Sequence, residues 1–492
     1  MTTRGPGAKR VLLRSGKSPF TALSVEDALH RDVIATNAGN LIFSDASHKI
    51  LTVPGTEVVS NGIRSRLAQA ERINEEYDAF VIPLANAFRP SFEASLKRLT
   101  RLIGRLRIPV VVLGVGAQTG VGYNPARLAR IEPSVREFVS AVLDRSATIG
   151  VRGEFTERYL KDMGFRDVEV IGCPSLFMNG DALRIDHGGE LDRDARIAVN
   201  GSHSAFKSSA LPDIVRATYA RYPDLTFIGQ NIGEARQLHW RDMSDPNSAL
   251  GSIPTHPDHP LYRDGRVRVY LDPATWIGEL GSYDFSFGSR IHGNIAALLA
   301  GVPATVLCGD SRTLELARYF EIPHRKLSAA TAELDPAELY EQADFGAFNR
   351  NHKERFDRFT GFLDRNGLHN TFTHGDSGAA YEERMAGLTL PPAVRPWTET
   401  EVGGVSERIN HLQSRLEELT ARNDQLEQRL AKAVKAARAA RPAAVVRVPA
   451  RVAETDVYRK ARRVVGRQLR RALQPRPAGA PVRPLRERFS EN

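Results

Sequence analysis

Arg290 and His292 stand two residues apart in the stretch SFGSRIHGNIAALLAGVPATVLCGD, residues 286–310. A guanidinium offers a planar fork of donors that fits a phosphate or a carboxylate. An imidazole can hand over a proton near neutral pH. The residues that follow are small and aliphatic, and they read as a packing helix over about 291–300 that Gly301-Val302-Pro303 ends. Gly288-Ser289 after a short apolar run sets the pair at that helix's N-terminus, where free N–H groups and the dipole also favour an anion. The motif therefore spells an anion site with an acid in it. A plain alternative carries equal weight on these residues alone: Arg290 pairs with a carboxylate such as Asp284, and His292 caps the helix.

Four other stretches carry chemistry of the same kind. GVGAQTG, residues 114–120, follows an apolar run, as a glycine turn approached by a ligand does, and offers Gly116 and Gln118. GVRGEF, residues 150–155, puts Arg152 at another strand end; its plain reading is a surface salt bridge with Glu154 or Glu157. TNAGNLIF, residues 36–43, sets Asn40 in a polar glycine turn before an apolar run, or in a simple loop. IGQNIGE, residues 228–234, supplies Asn231 and Glu234, and Glu234 could grip a ribose in a nucleotide-sugar enzyme.

The elements that must position these groups alternate strand and helix. Residues 78–84, 108–118, 147–153 and 168–177 read as strands, with helices over 90–107, 133–146 and 154–165 between them. A second block repeats the logic, with strands at 195–202, 225–231, 267–272, 285–289 and 303–309. Helices follow at 312–320 and between 335 and 365. This order predicts an α/β fold of two Rossmann-like domains, residues 31–190 and 191–365, facing a cleft after an N-terminal extension, 1–30. Ligands in such sheets bind beyond the carboxyl ends of the strands. Residues 366–403, with Pro391, Pro392 and Pro396, read as a linker or strap.

The pattern then changes. Val405, Ile409, Leu412, Leu416, Leu419, Asn423, Leu426, Leu430 and Ala433 fit an unbroken d-a-d-a heptad frame. A coiled coil over 404–440 and a homodimer through 405–440 are expected, with Asn423 at an a position and Arg422 reaching Glu427 of the second copy. The alternative is a solitary helix packed on the body. Residues 441–492 form a basic tail with an amphipathic helix at 456–474. Residues 432–492 hold 17 Lys/Arg and 4 Asp/Glu, a local +13 that leaves −3 of the overall +10 for residues 1–431. Such a helix suits an anionic membrane surface, or it is a soluble tail without a specific partner; nucleic acid is the weakest of the three. Two cysteines, Cys173 and Cys308, exclude a disulfide framework and a four-cysteine zinc site and read as core residues. No run reaches the length of a membrane span, and the N-terminus lacks the apolar core of a signal peptide, so a cytoplasmic chain is expected, peripheral to the membrane if the tail binds it.

In this order the motifs resemble the polysaccharide pyruvyl transferase family over roughly residues 30–330. The resemblance rests on Asn37-Ala38-Gly39-Asn40 (with Asn40 where the family usually has Asp), Gly114-Val115-Gly116, Gly150-Val151-Arg152, Gly172-Cys173-Pro174, and Arg290-Ile291-His292 through Gly301-Val302-Pro303. It implies a fold similar to B-type glycosyltransferases, and transfer of pyruvate from phosphoenolpyruvate onto two hydroxyls of a sugar in a cell-surface glycan or its precursor, giving a cyclic ketal. Phosphoenolpyruvate is the donor substrate, and neither cofactor nor metal is implied. Arg290, Arg152, Gly116 and Gln118 would bind the donor, His292 would protonate it, and Asn40, Asn231 and Glu234 would meet the substrates. The other readings are a nucleotide-sugar glycosyltransferase on the same architecture, and an inactive transferase-like scaffold.

Overall fold

In the computed structural model, residues 9–328, 334–397 and 405–439 are described. The described residues up to Leu412 form one compact unit and those from Gln413 a second. The basic tail, 441–492, with the amphipathic stretch 456–474, lies outside the described residues.

Among the described residues, twelve strands build the first unit. They are β1 (Lys9–Leu13), β2 (Thr56–Ser60), β3 (Ala79–Pro83), β4 (Val110–Leu113), β5 (Ile149–Val151), β6 (Val168–Val170), β7 (Ile197–Asn200), β8 (Leu225–Gly229), β9 (Val267–Val269), β10 (Phe285–Gly288), β11 (Ala304–Cys308) and β12 (His324–Lys326). Every ladder between them is parallel. The first sheet runs β2-β1-β3-β4, and β5-β6 continue its edge through the bridge Val115↔Val151. The second runs β12-β11-β10-β7-β8-β9. Central strands such as VVVL in β4 and ATVLC in β11 are buried along their whole length, as parallel strands covered on both faces are.

Within the N-terminal extension, Lys9–Leu13 is built into the first sheet: β1 pairs with both β2 and β3. Of the two readings of 366–403, linker or strap, the described residues 366–397 fit the strap. Tyr381 is buried, the Lys49 ammonium meets the Glu382 carboxylate at 2.5 Å, and Val394 bridges Val269 at the edge of the second sheet.

The helix Gly39–Leu51 lies in the core, with every residue but Asn40 buried. Its apolar residues Leu41, Ile42, Phe43 and Ile50 join the largest hydrophobic cluster. Its polar residues are buried too: Ser44 and Ser47 donate back to the carbonyls of Leu41 and Phe43, and Lys49 reaches Asn179 and Glu382. Asp45 has one carboxylate oxygen without a partner, and burial pushes its pKa up to about 8.

The heptad frame falls on one helix, Val405–Ala439. Its residues up to Leu412 belong to the first unit, within which His411 stacks on Trp240 at 3.8 Å between centroids and Arg408 lies over Trp397. Within the second unit its frame leucines are exposed, Leu416 at 67% and Leu430 at 65%.

Candidate active site

Parallel strands deliver their C-terminal residues to one edge, and here both sheets deliver them to the same cleft. Arg14 follows β1, Leu84 to Asn86 follow β3, Arg152 follows β5, Gln230 and Asn231 follow β8, and Ser289-Arg290 follow β10. All but Ser289 line a cavity of about 550 Å³. Backbone contacts close the cleft on both flanks. Ala38 N donates to Gln230 O and Ile232 N to Thr36 O on one side; Thr119 and Ser311 exchange backbone and hydroxyl bonds on the other.

Five arginines, Arg14, Arg89, Arg152, Arg290 and Arg312, line this cavity, and among the described residues no carboxylate does. Arg152 is 1% exposed, and its Nε and Nη1 are buried without a hydrogen-bond partner. Arg14 Nε is likewise unpartnered, and burial pulls the Arg14 pKa down to about 10. Burial pulls Arg290 down to about 10 as well, against the attraction of Glu234. At neutral pH all three stay charged, and each buried donor without a partner is costly until an acceptor arrives. The cavity is thus built for an anion, and its width and several separate cations suit one with more than one charged head.

Two helix N-termini add to the field. The helix Ile291–Leu299 starts at the cavity, with Arg290 at its N-cap held by Asn200 Oδ1 accepting from Arg290 N at 2.8 Å. The Arg290 Nε donates to Gly201 O, and Asp284 is not its partner: that carboxylate accepts from Arg196 N. The helix Gly39–Leu51 also begins here, and a Cβ on Gly39 would lie 2.8 Å from His292 Cβ, so only glycine lets that helix approach. Ala35, Thr36 and Ile63, all cavity-lining, have φ of 48°, 71° and 60°. Left-handed backbone at non-glycine residues costs about 1–3 kcal/mol each and tends to gather at functional sites.

His292 is buried between these groups. Its ring packs near Phe43, and Nε2 sits 3.6 Å from Cys173 Sγ. Burial, then Arg152 and Arg312, pull its pKa down to about 3. In these surroundings the imidazole is neutral at neutral pH, where the sequence suggests an acid titrating near 7. An anion that pairs the arginines removes part of that pull and raises its basicity. Cys173, expected as core only, is also the neighbour of this ring.

Of the other expected residues, Asn40 and Asn231 line the cavity. Asn40 Nδ2 is already given to the carbonyls of Ile34 and Ala35, while Asn231 pairs with Asn37 across the cleft and with His203. Gly116 does not line it: a Cβ there would meet Arg152 Cδ at 3.2 Å and Ala85 O at 3.0 Å, so its bareness makes room for the Arg152 stem. Gln118 lines a neighbouring cavity instead, accepting from Asn86 Nδ2 and donating to Asp310. Glu234 is away from the cavity and committed. One oxygen accepts from Gln230 N and Asn231 N, and the other meets His203 Nε2 at 2.9 Å. Sequence reasoning missed Arg14, Arg89 and Arg312. Arg14 follows an apolar run as Arg152 does, which is the signal that could have found it.

Glu315 holds Arg152's neighbourhood. It accepts from Thr156 N at 2.7 Å and Thr156 Oγ1 at 3.0 Å, fixing the start of the helix Glu154–Asp162 just past Arg152. Burial pushes its pKa up to about 7.

The model of the family described as polysaccharide pyruvyl transferase matches residues 67–309. Against the curated proteins, no sequence matches. Among solved structures, a Listeria monocytogenes protein assigned as a UDP-N-acetylglucosamine 2-epimerase is similar at 12% identity and a TM-score of 0.39, over 78% of this chain and 98% of that one. The S. aureus MnaA–UDP structure is similar at 11% identity and a TM-score of 0.38, over 78% and 99%. The matched span holds Arg152, Arg290 and His292; Arg14, Asn40 and Arg312 complete the cavity from outside it.

Proposed function

We propose that this chain, whose residues 67–309 belong to the polysaccharide pyruvyl transferase family, transfers pyruvate from phosphoenolpyruvate onto two hydroxyls of a sugar in a surface glycan or its precursor. The observation that carries the reading is Arg152, buried, with two guanidinium nitrogens that find no acceptor in the protein, on the wall of a cavity it lines with four other arginines. Phosphoenolpyruvate has a phosphate and a carboxylate on adjoining atoms. Arg290 with the helix N-terminus suits one head, and Arg152 with Arg14 the other.

The chemistry follows from that placement. A proton adds to the methylene carbon of the enol, C2 becomes electron-poor, and the sugar's first hydroxyl oxygen bonds to it. The C2–O bond to phosphate breaks, and a second hydroxyl oxygen closes the ketal. Of the two hydroxyl protons released, one stays with the departing phosphate and the other restores the acid. His292 is the acid: held neutral by burial, Arg152 and Arg312, it takes up a proton as the anionic donor screens those arginines. The same arginines stabilise the leaving phosphate. A nucleotide-sugar reading needs a free carboxylate for the ribose, and Glu234 is already engaged by His203 and two backbone amides.

The test is phosphate release from phosphoenolpyruvate against a panel of sugar acceptors, with mass spectrometry of the product. Acceptor-dependent release that His292→Gln lowers by about 10²-fold or more supports the reading. Release that ignores the acceptor, or that His292→Gln leaves intact, contradicts it.

A further inference from the structure

We propose that the acceptor sugar sits in a second cavity of about 650 Å³ that opens beside the first; this rests on the donor reading above. Arg89 and Arg312 line both cavities and form their common wall. Beyond that wall the chemistry changes. Ser91, Thr119, Ser202, Ser204, Ser208 and Ser289 line the second cavity, together with Gln118, one further arginine, Arg127, and one carboxylate, Asp310.

A hydroxyl has one donor and two acceptor sites. Ser202 accepts from Ala205 N, Ser208 donates to Ser204 O, and Ser289 accepts from Ser202 N, so each keeps capacity for a ligand. Such a lining matches a neutral polyol, whose hydroxyls both give and take hydrogen bonds. Among the described residues Asp310 is the one carboxylate lining either cavity. Its carboxylate can accept hydrogen bonds from sugar hydroxyls. Arg312, at 3.2 Å, and Gln118, at 3.3 Å, hold it at the boundary with the donor cavity. The volume is within the range of small-molecule sites. The two cavities differ in the hydroxyls they offer, and their adjacency brings the sugar's hydroxyls to the donor.

Ser204 is exposed at the rim, so Ser204→Trp fills the second cavity without touching the first. Asp310→Asn keeps the helix cap that accepts from Thr313 N and removes the charge. The experiment has two arms on the full chain. Phosphoenolpyruvate stabilisation against heat reads the donor cavity. Saturation-transfer NMR with methyl galactoside, methyl glucoside and methyl mannoside, in the presence of phosphoenolpyruvate, reads the second. The expected result is an unchanged donor response in Ser204→Trp, with the hexoside signal lost in Ser204→Trp and at least tenfold weaker in Asp310→Asn. Failure of every hexoside to bind the natural chain, or equal binding by Ser204→Trp, overturns the acceptor site. Absence of the phosphoenolpyruvate response overturns the donor reading instead.

The helix Val405–Ala439 carries a second, independent inference. We infer that it pairs with the same helix of a second copy, parallel and in register. Eight of the ten large hydrophobics exposed among the described residues lie on it, between Val405 and Val434. The heptad frame sets Arg408, Arg415, Arg422 and Arg429 in its g column. An antiparallel pair would bring g against g and oppose four arginines with four. A parallel pair sets g against the e residues Gln413, Thr420, Glu427 and Val434, with no cation among them and Arg422 facing Glu427. Asn423 at an a position favours the same two-stranded parallel state. Ala433→Cys, at a d position near the helix end, should form a disulfide-linked dimer under mild oxidation, since Cys173 and Cys308 are buried. Leu416→Pro should halve the mass by light scattering. A monomeric natural chain, or a dimer that Ala433→Cys fails to cross-link, overturns the inference.

Discussion

Replacing Arg152 by Met should make the empty protein more stable while destroying its donor site. The guanidinium has two buried N–H groups without acceptors. Each such group costs about 1–3 kcal/mol, and the charge they carry adds to this. Met keeps most of the stem that fills the space beside Gly116. Against the gain stand the lost attraction to Glu315 and a small cavity, together about 1–2 kcal/mol. A net gain of about 2 kcal/mol remains. For a cooperative unit of about 400 residues the entropy of unfolding is roughly 0.8 kcal/mol/K, so the midpoint should rise by about 2–3 °C. Phosphoenolpyruvate at 100 times its dissociation constant should stabilise the natural chain by about 2.7 kcal/mol. The variant should show almost none of that. Thermal unfolding with and without phosphoenolpyruvate reads both effects. An Arg152→Met protein that unfolds at a lower temperature than the natural chain refutes the reasoning, because Arg152 would then be a structural tie. A variant that still responds fully to the ligand refutes it from the other side.

Acid should destabilise the fold through its buried histidines. His292 and His48 are held down at about 3 and 4 by burial, below 6.5 in the unfolded chain. Their contribution is complete above pH 6.5 and is lost as pH falls toward 4 and 3, so at pH 4.5 each has cost roughly 2–3 kcal/mol. His292→Gln should flatten its share of that loss in denaturant titrations at pH 7 and 4.5; an equal acid sensitivity argues against a neutral buried ring. Asp45 has the opposite sign. Its pKa is raised to about 8, so the stability it contributes is complete below about 4 and lost as pH rises through 8. Asp45→Asn should therefore raise the unfolding free energy at pH 7.5 by roughly 2–4 kcal/mol, and no gain there would show that the carboxylate has an acceptable charged state. Removing residues 441–492 takes away most of the local +13, and should abolish sedimentation with anionic vesicles; co-sedimentation equal to that of the full chain rejects a membrane role for the tail.

Much of this architecture was legible because parallel α/β units write themselves locally. Apolar runs such as VVVL and ATVLC, each followed by a glycine, marked strands that the sheets contain. Arg290, His292, Arg152, Asn40 and Asn231 were found because each follows a strand or opens a helix, and strand ends converge in this topology. What failed was anything that depends on side-chain direction. Glu234 lies three residues from Asn231 yet turns back to cap its own helix and meet His203. Gln118 lies two residues past Gly116 and faces a different cavity. Arg14 was missed because β1 is a short apolar run behind a basic segment, and its central place comes only from pairing with β2 and β3. Arg89 and Arg312 sit outside the strand ends, and only the tertiary fold brings them together. The pKa of His292 was misjudged because burial and two cationic neighbours are invisible in a tripeptide.

The central claim is that the arginine-lined cavity recognises a donor with two anionic heads. Calorimetric titration of the full chain with phosphoenolpyruvate, and with inorganic phosphate and lactate as single-headed controls, tests it most directly. The account predicts that phosphoenolpyruvate binds at least about 10²-fold more tightly than either control, with net proton uptake at neutral pH as His292 becomes charged, and that Arg152→Met removes the difference. Phosphate binding as tightly as phosphoenolpyruvate, with no proton uptake, would contradict it.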